Sequence, residues 1–154
     1  MEYDPTATVV APAMIQIDKG FFDEMVAHGL SNLPNEACGV LAGKEGRPVR
    51  FFPMTNADGS PLTYRFEPKE SLRVWNEIED EGSEQLAIFH THTHTEAYPS
   101  PTDRKRAMWA DSDQPSFPDT YYLILSLEDR AAPVLRAFRI LDGGAVSEED
   151  VTIG

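Results

Sequence analysis

Apolar and polar positions change period several times along the chain, and each change predicts an element. Ile15-Gln16-Ile17 alternates as a short strand; Phe21, Phe22, Met25 and Val26 then recur on one helical face, opened by Asp18 as a cap and stopped at Gly29. Ala37 to Ala42 and Val49 to Met54 are apolar β-type runs, and Gly43-Lys44-Glu45-Gly46 between them is turn chemistry, which predicts a hairpin. Pro68 at a first helical position, followed by Leu72, Trp75 and Ile78, predicts a second amphipathic helix ending near Gly82, with Leu86 to Phe89 as a buried strand after it. Ser100-Pro101 begins a third helix running to about Trp109, and residues 111 to 119 form a polar, proline-bearing loop, a candidate lid or insertion. Tyr121 to Leu127 and Val134 to Leu141 are β-rich, and Asp142-Gly143-Gly144 turns the chain into a last strand over Val146 to Ile153. The order β-α-β-β-α-β-α-β-β-β predicts an α/β (α+β) fold, a single sheet with helices packed on it.

Length and composition narrow this picture. A chain of 154 residues with 41% hydrophobic positions predicts one domain over residues 14–154, able to bury its own core, preceded by a loose leader at residues 1–13 where Pro5 and Pro12 interrupt small and acidic residues. Thirteen basic residues against 26 acidic ones give a net charge of −13, which repels phosphate backbones and argues against nucleic acid as a partner. A single cysteine, Cys38, cannot close an internal disulfide, and the first basic residue is Lys19, so no positively charged leader precedes the apolar stretch near the start. No apolar run approaches the ~20 residues that span a bilayer. The expectation is a cytoplasmic protein with no membrane contact.

Chemistry concentrates after the Leu86 to Phe89 run. His90, His92 and His94 alternate, which points them to one side of an extended chain, and neighbours in the series lie ~6.6 Å apart, within reach of one ion. His90 and His94 would stand ~13 Å apart, too far to share a tetrahedral ion, so one adjacent pair is expected to bind and a third ligand must come from elsewhere. Asp103 is the candidate, returned by a turn at Tyr98-Pro99; two histidines and one carboxylate leave a position open for water, as in catalytic zinc sites. Taken alone, Ser100-Pro101-Thr102-Asp103 is a helix cap with an acidic residue at its third position, and that role can coexist with metal binding. Amidohydrolase barrels also use His-x-His, but their ~250 residues exceed this chain.

The pattern His90-x-His92, seven residues, Ser100, two residues, Asp103, with an upstream acid in Asn35-Glu36-Ala37-Cys38-Gly39, resembles the motif of the JAMM (MPN-plus) metalloproteases. Softer likeness in Ser60 to Arg65, Val74 to Asp80 and Thr95 to Ser100 resembles the small stand-alone bacterial members of the sulfur-carrier-protein cysteine hydrolase type. The resemblance implies an MPN/JAMM fold, a cytidine-deaminase-like mixed β-sheet flanked by helices. It implies zinc held by His90, His92 and Asp103, Glu36 as general base and Ser100 as donor to the oxyanion. It further implies hydrolysis after the C-terminal glycine of a ubiquitin-like sulfur-carrier protein ending in Gly-Gly, releasing cysteine and placing the enzyme in cysteine biosynthesis. An isopeptidase or deubiquitinase-like protease acting on ubiquitin-like conjugates is the alternative enzyme reading. A non-catalytic MPN scaffold is the alternative outside enzymes, and the complete ligand set argues against it. Thr93 departs from the proline many members carry, and His94 has no place in the family mechanism.

The remaining conspicuous residues read as structural. Cys38 is expected as a small buried apolar residue, Trp75 and Trp109 as core, and His28 as a surface residue near a helix C-terminus. Arg65 and the Arg104-Lys105-Arg106 run are expected to be solvated.

Overall fold

In the computed structural model, which describes residues 14–154, the elements follow the predicted order. They are β1 (Met14–Ile17), α1 (Lys19–Asn32), β2 (Cys38–Lys44), β3 (Arg47–Met54), α2 (Pro68–Asp80), β4 (Glu84–His92), α3 (Pro101–Arg106), β5 (Tyr121–Ser126), β6 (Val134–Ile140) and β7 (Val146–Ile153), with a 3₁₀ turn over Asp142–Gly144 before the last strand. The seven strands form one mixed sheet in the order β1-β7-β6-β5-β4-β2-β3. The leader assigned to residues 1–13 lies outside the described residues. No helix among the described residues is long and apolar enough to cross a membrane.

The central strands are buried on both faces, because each face carries a helix. Side chains of one parity, Leu41, Phe51, Ala87, Phe89, Leu123 and Leu125, pack with Met25 of α1. The other parity of β2 and β3, Cys38, Val40, Ala42 and Phe52, packs with Val74 and Ile78 of α2. This explains why these segments read as near-continuous apolar runs rather than alternating ones. Cys38 is buried as expected.

Strand β4 pairs antiparallel with β2 and parallel with β5. A parallel pair cannot be joined by a tight hairpin, so the chain must cross over between His92 and Tyr121. That crossover carries α3, and with it Ser100 and Asp103.

Two helix ends and one cap differ from expectation. Helix α1 continues past Gly29 to Asn32, and Asp18 makes no side-chain cap bond. A Cβ on Gly29 would lie 3.0 Å from Thr91 Cγ2 and 3.1 Å from Leu127 Cδ1, so this glycine permits close helix–strand approach instead of ending the helix. Helix α3 ends at Arg106, not Trp109. Beyond it the polar loop is stitched back by backbone bonds, Trp109 N–H to Gln114 O (2.9 Å) and Ser116 N–H to Ala107 O (2.8 Å), and Asp113 O accepts from Gly143 N–H (2.7 Å).

Candidate metal centre and active site

His90 and His92 belong to β4, which runs three residues further than the apolar stretch that predicted it. Period two gives His90 and His92 the parity of Ile88, whereas Thr91 faces α1. The backbone here is pinned from both sides: Thr91 N–H donates to Ala37 O (3.0 Å), and Ala37 N–H donates to Thr91 Oγ1 (2.8 Å). Strand β4 and the segment bearing Glu36 are therefore held in fixed register.

Helix α3 supplies the third donor through a capping box. Ser100 Oγ accepts from Asp103 N–H (3.0 Å), and Ser100 N–H donates to Asp103 Oδ2 (2.9 Å). The same Oδ2 lies 3.1 Å from His90 Nε2 and 3.0 Å from His92 Nε2, and the two imidazole nitrogens are 3.2 Å apart. Tetrahedral coordination with bonds of ~2.0–2.1 Å sets donors about 3.3–3.4 Å apart, so this nearly equilateral triangle fits one such ion with little movement. His92 Nδ1 is 2.9 Å from Glu96 O, an acceptor only, so the neutral ring carries its proton on Nδ1 and presents a lone pair at Nε2. Tyr64 stacks on His90 with ring centroids 4.4 Å apart, which fixes the plane of that ring.

Electrostatics favour the ligating forms of His90 and Asp103. Burial lowers the pKa of His90 in spite of Asp103, keeping that imidazole neutral. Burial alone would raise Asp103, but hydrogen bonds from His90 and His92 outweigh it and hold the carboxyl well below the usual range. For His92 burial opposes charge, yet contacts with Asp103 and the Glu96 carbonyl raise its pKa overall. A cation at the triangle would take over the role of that extra proton.

Glu36 is 3% exposed, and its Oε1 is buried without a hydrogen-bond partner among the described residues. Loss of solvation pushes its carboxyl up to about 8. An orphaned buried carboxylate oxygen beside three convergent donors is what a metal-bound water would satisfy, so the donor set and the acid fit a catalytic rather than a closed structural centre. Glu36, His92 and Ser100 line a cavity of about 150 Å³ together with Pro61, Leu62, Thr93, His94 and Thr95. Ser100 Oγ uses a lone pair on Asp103 N–H, leaving its own proton available to a group in this cavity. All five predicted site residues are thus gathered, while His94 lies on the exposed rim and outside the ligand triangle.

The sequence reading missed Asn56. Its Nδ2 donates to Glu36 O (3.0 Å) and Thr63 O (3.0 Å), and its Oδ1 accepts from Asp58 N–H (3.0 Å) and Arg65 N–H (3.1 Å). Asn-Ala-Asp-Gly reads only as a turn, because its partner at Glu36 is remote in sequence. Other expectations need correction. Trp75 and Trp109 are not core, being 44% and 60% exposed; Trp75 Nε1 donates to Gln85 Oε1 (2.9 Å). His28 is half-buried, with Nε2 2.8 Å from Cys38 O. Within the basic run, Arg106 pairs with Asp58 (2.7 Å) and donates to Tyr64 O (2.8 Å), and Arg104 donates to Gly144 O (3.0 Å). These two arginines clamp loops on either side of α3.

The chain is similar to several known proteins in sequence and in fold. The family model for prokaryotic homologs of the JAB domain matches residues 18–140. The CysO-cysteine peptidase of Mycobacterium tuberculosis is 48% identical over 131 residues, which make up 84% of each chain. A Thermus thermophilus protein named "Probable TtuB-protein conjugate cleaving protease" is 37% identical over 97 residues, 62% of this chain and 65% of that one. Among solved structures, a Desulfitobacterium hafniense protein superposes with a TM-score of 0.77 at 34% identity, covering 92% of this chain and 93% of that one. A JAB1/MPN domain protein of Archaeoglobus fulgidus superposes with a TM-score of 0.53 at 14% identity, covering 92% and 100%, and shares the fold.

Proposed function

The chain belongs to the family of prokaryotic homologs of the JAB domain, and from that membership and the geometry of the site we propose that it is a zinc-dependent hydrolase of JAMM type. It cleaves after the C-terminal glycine of a ubiquitin-like sulfur-carrier protein ending in Gly-Gly and releases cysteine. The observation that carries this reading is the triangle of His90, His92 and Asp103 donors, 3.0–3.2 Å on a side, beside a buried Glu36 oxygen that has no partner among the described residues. The likeness to a CysO-cysteine peptidase across 84% of both chains supports the choice of substrate.

In this mechanism His90, His92 and Asp103 would hold the ion, and a zinc bound there would supply Lewis acidity to lower the pKa of water toward ~7 and polarise the scissile carbonyl. Glu36 accepts the proton of the attacking water and returns it to the leaving amine; burial raises its pKa in the metal-free protein, and a cation at the neighbouring donors would favour the carboxylate form that accepts the proton. Ser100 donates its hydroxyl proton to the developing oxyanion while its lone pair holds the start of α3. No nucleophilic serine or cysteine is needed, and Cys38 is unsuited to that role because burial pushes its thiol up to about 12.

The 150 Å³ cavity bears on the leaving group. It has room for a free amino acid, whereas a lysine on a second folded protein would have to enter past Leu62, which is 75% exposed at its mouth. The test presents zinc-loaded protein with a carrier–cysteine adduct, an isopeptide conjugate of the same carrier, and the adduct with its penultimate glycine replaced by a bulky residue. The adduct should be cut fastest. Faster cleavage of the conjugate, or indifference to the penultimate residue, transfers the protein to the conjugate-cleaving reading. A place in cysteine biosynthesis would follow from the adduct result, and the same proposal puts the protein in the cytoplasm.

A further inference from the structure

The segment 56–65 is a loop without regular structure between β3 and α2, yet it is held at three places. Arg106 of α3 binds Asp58 and the Tyr64 carbonyl. Thr93, at the end of β4, donates to Pro61 O (3.3 Å). The third hold is Asn56, whose amide is saturated. Two N–H bonds reach Glu36 O and Thr63 O, a longer one reaches Ser60 O (3.5 Å), and the amide oxygen accepts from Asp58 and Arg65. Its orientation is unambiguous, because carbonyls face one end of the amide and N–H groups the other.

Both backbone polar groups of Glu36 end in this knot. Glu36 O accepts from Asn56 Nδ2, and Glu36 N–H donates to Ser60 O (2.9 Å), a carbonyl that Asn56 also touches. On the other flank, Ala37 is fixed to Thr91 between the two histidines. The carboxylate of Glu36 has no such support, since its Oε1 makes no hydrogen bond among the described residues. Its direction is therefore set by its backbone, and its backbone is set by Asn56 on one side and Thr91 on the other. A general base displaced by an ångström loses the alignment on which proton transfer depends.

We propose that Asn56 is the positioning residue for the general base, orienting Glu36 over the metal-bound water position by holding its peptide to the 56–65 loop. The inference rests on the reading of Glu36 as the base. Asn56 touches none of the three donor residues, so its removal leaves metal binding in place.

The decisive experiment is a double-mutant cycle on full-length, zinc-loaded protein, using single-turnover cleavage of the carrier–cysteine adduct. Asn56→Ala should retain about one zinc per chain and lose about 10–10²-fold in kcat with KM little changed. Placed on Glu36→Gln, the same substitution should cost nothing further, because there is no base left to misplace. Hydrogen exchange should also accelerate at the amides of Asp58 and Arg65. If Asn56→Ala does not fold, Asn56→Asp serves in the same cycle: it keeps the acceptor for those two amides and removes the donors to Glu36, Ser60 and Thr63. The inference is overturned by unchanged kcat, by a loss confined to KM, or by an equal loss in the Glu36→Gln background. Full turnover in Glu36→Gln alone removes the base assignment and this inference with it. Full turnover in Asn56→Ala beside an inactive Glu36→Gln removes only the inference.

Discussion

Ser100→Ala separates the structural and chemical roles combined in one hydroxyl. The lone pair of Ser100 Oγ caps Asp103 N–H at 3.0 Å, while the reciprocal bond, Ser100 N–H to Asp103 Oδ2, belongs to the backbone and survives the substitution. Losing half of the capping box should cost ~0.5–2 kcal/mol. For a chain of this size that is roughly 1–8 °C in Tm, measured on metal-free protein. Because Asp103 keeps its other anchor and its contacts with both histidines, zinc affinity should fall by no more than the ~10–100-fold typical of an outer-shell loss. Turnover should fall further, by about 10²–10³-fold at saturating zinc, since a donor aimed at the oxyanion has no substitute in a buried site. Ser100→Thr, which preserves donor and acceptor, should restore most of both. Three measurements are needed: thermal unfolding after chelation, zinc titration, and hydrolysis at saturating metal. If excess zinc returns Ser100→Ala to full turnover, the hydroxyl serves only to place Asp103, and its assignment as oxyanion donor is wrong.

Purified protein should bind about one zinc, lost on acidification as the ligand imidazoles protonate; metal analysis should find it absent from His92→Ala and retained in His94→Ala, and full occupancy in His92→Ala would sink the ligand assignment. Burial raises the Glu36 pKa from 4.5 to about 8, so the folded, metal-free state holds a proton that the unfolded state releases, and this group's contribution to stability falls as pH rises between those values. Denaturant unfolding of chelated protein at pH 5 and pH 8 should therefore show a larger drop for the wild type than for Glu36→Gln, and parallel behaviour would contradict a buried, unpaired carboxylate. Gly39→Ala should destabilise by ~1–3 kcal/mol in urea unfolding, because the added Cβ would stand 2.6 Å from Phe52 O and 2.8 Å from the Phe51 ring.

What could be read from the sequence, and what could not, divides along the range of the interactions. Strands β2, β5 and β6 were legible because their apolar runs are bounded by turn residues, and the grouping of His90, His92 and Asp103 because their spacing resembles a family motif. Gly29 looked like a helix stop because glycine favours that role; its function is to let α1 approach Thr91, a contact 62 positions away in the chain that no local rule reveals. Trp109 looked like core because tryptophan usually is, but α3 ends three residues earlier and leaves it on an exposed loop. Asn56 was hidden for the same reason as Gly29: a turn-forming asparagine and one that grips Glu36 have the same sequence signature.

The position of the site follows from the mixed pairing of β4. Two histidines on one strand face offer only two donors from a rigid element, and a third must arrive on the same side at the strand's C-terminal end. An antiparallel neighbour joined by a hairpin would turn back immediately and bring nothing. Because β5 is parallel to β4, the chain has to travel the length of the sheet again, and the obligatory crossover of a dozen or more residues is where α3 sits. The first turn of α3 faces the strand end, so its capping box and the metal triangle share one carboxylate oxygen, Asp103 Oδ2. On the opposite flank, β2 is antiparallel to β4, and its entry therefore lies beside the same end, with Ala37 bonded to Thr91 and Glu36 next to it. One strand with neighbours of opposite direction thus gathers His90, His92 and Asp103 from its exit and crossover, and Glu36 from the entry of its antiparallel partner. Changes in the 56–65 loop or the 111–119 loop can then alter what reaches the centre while leaving that pairing intact.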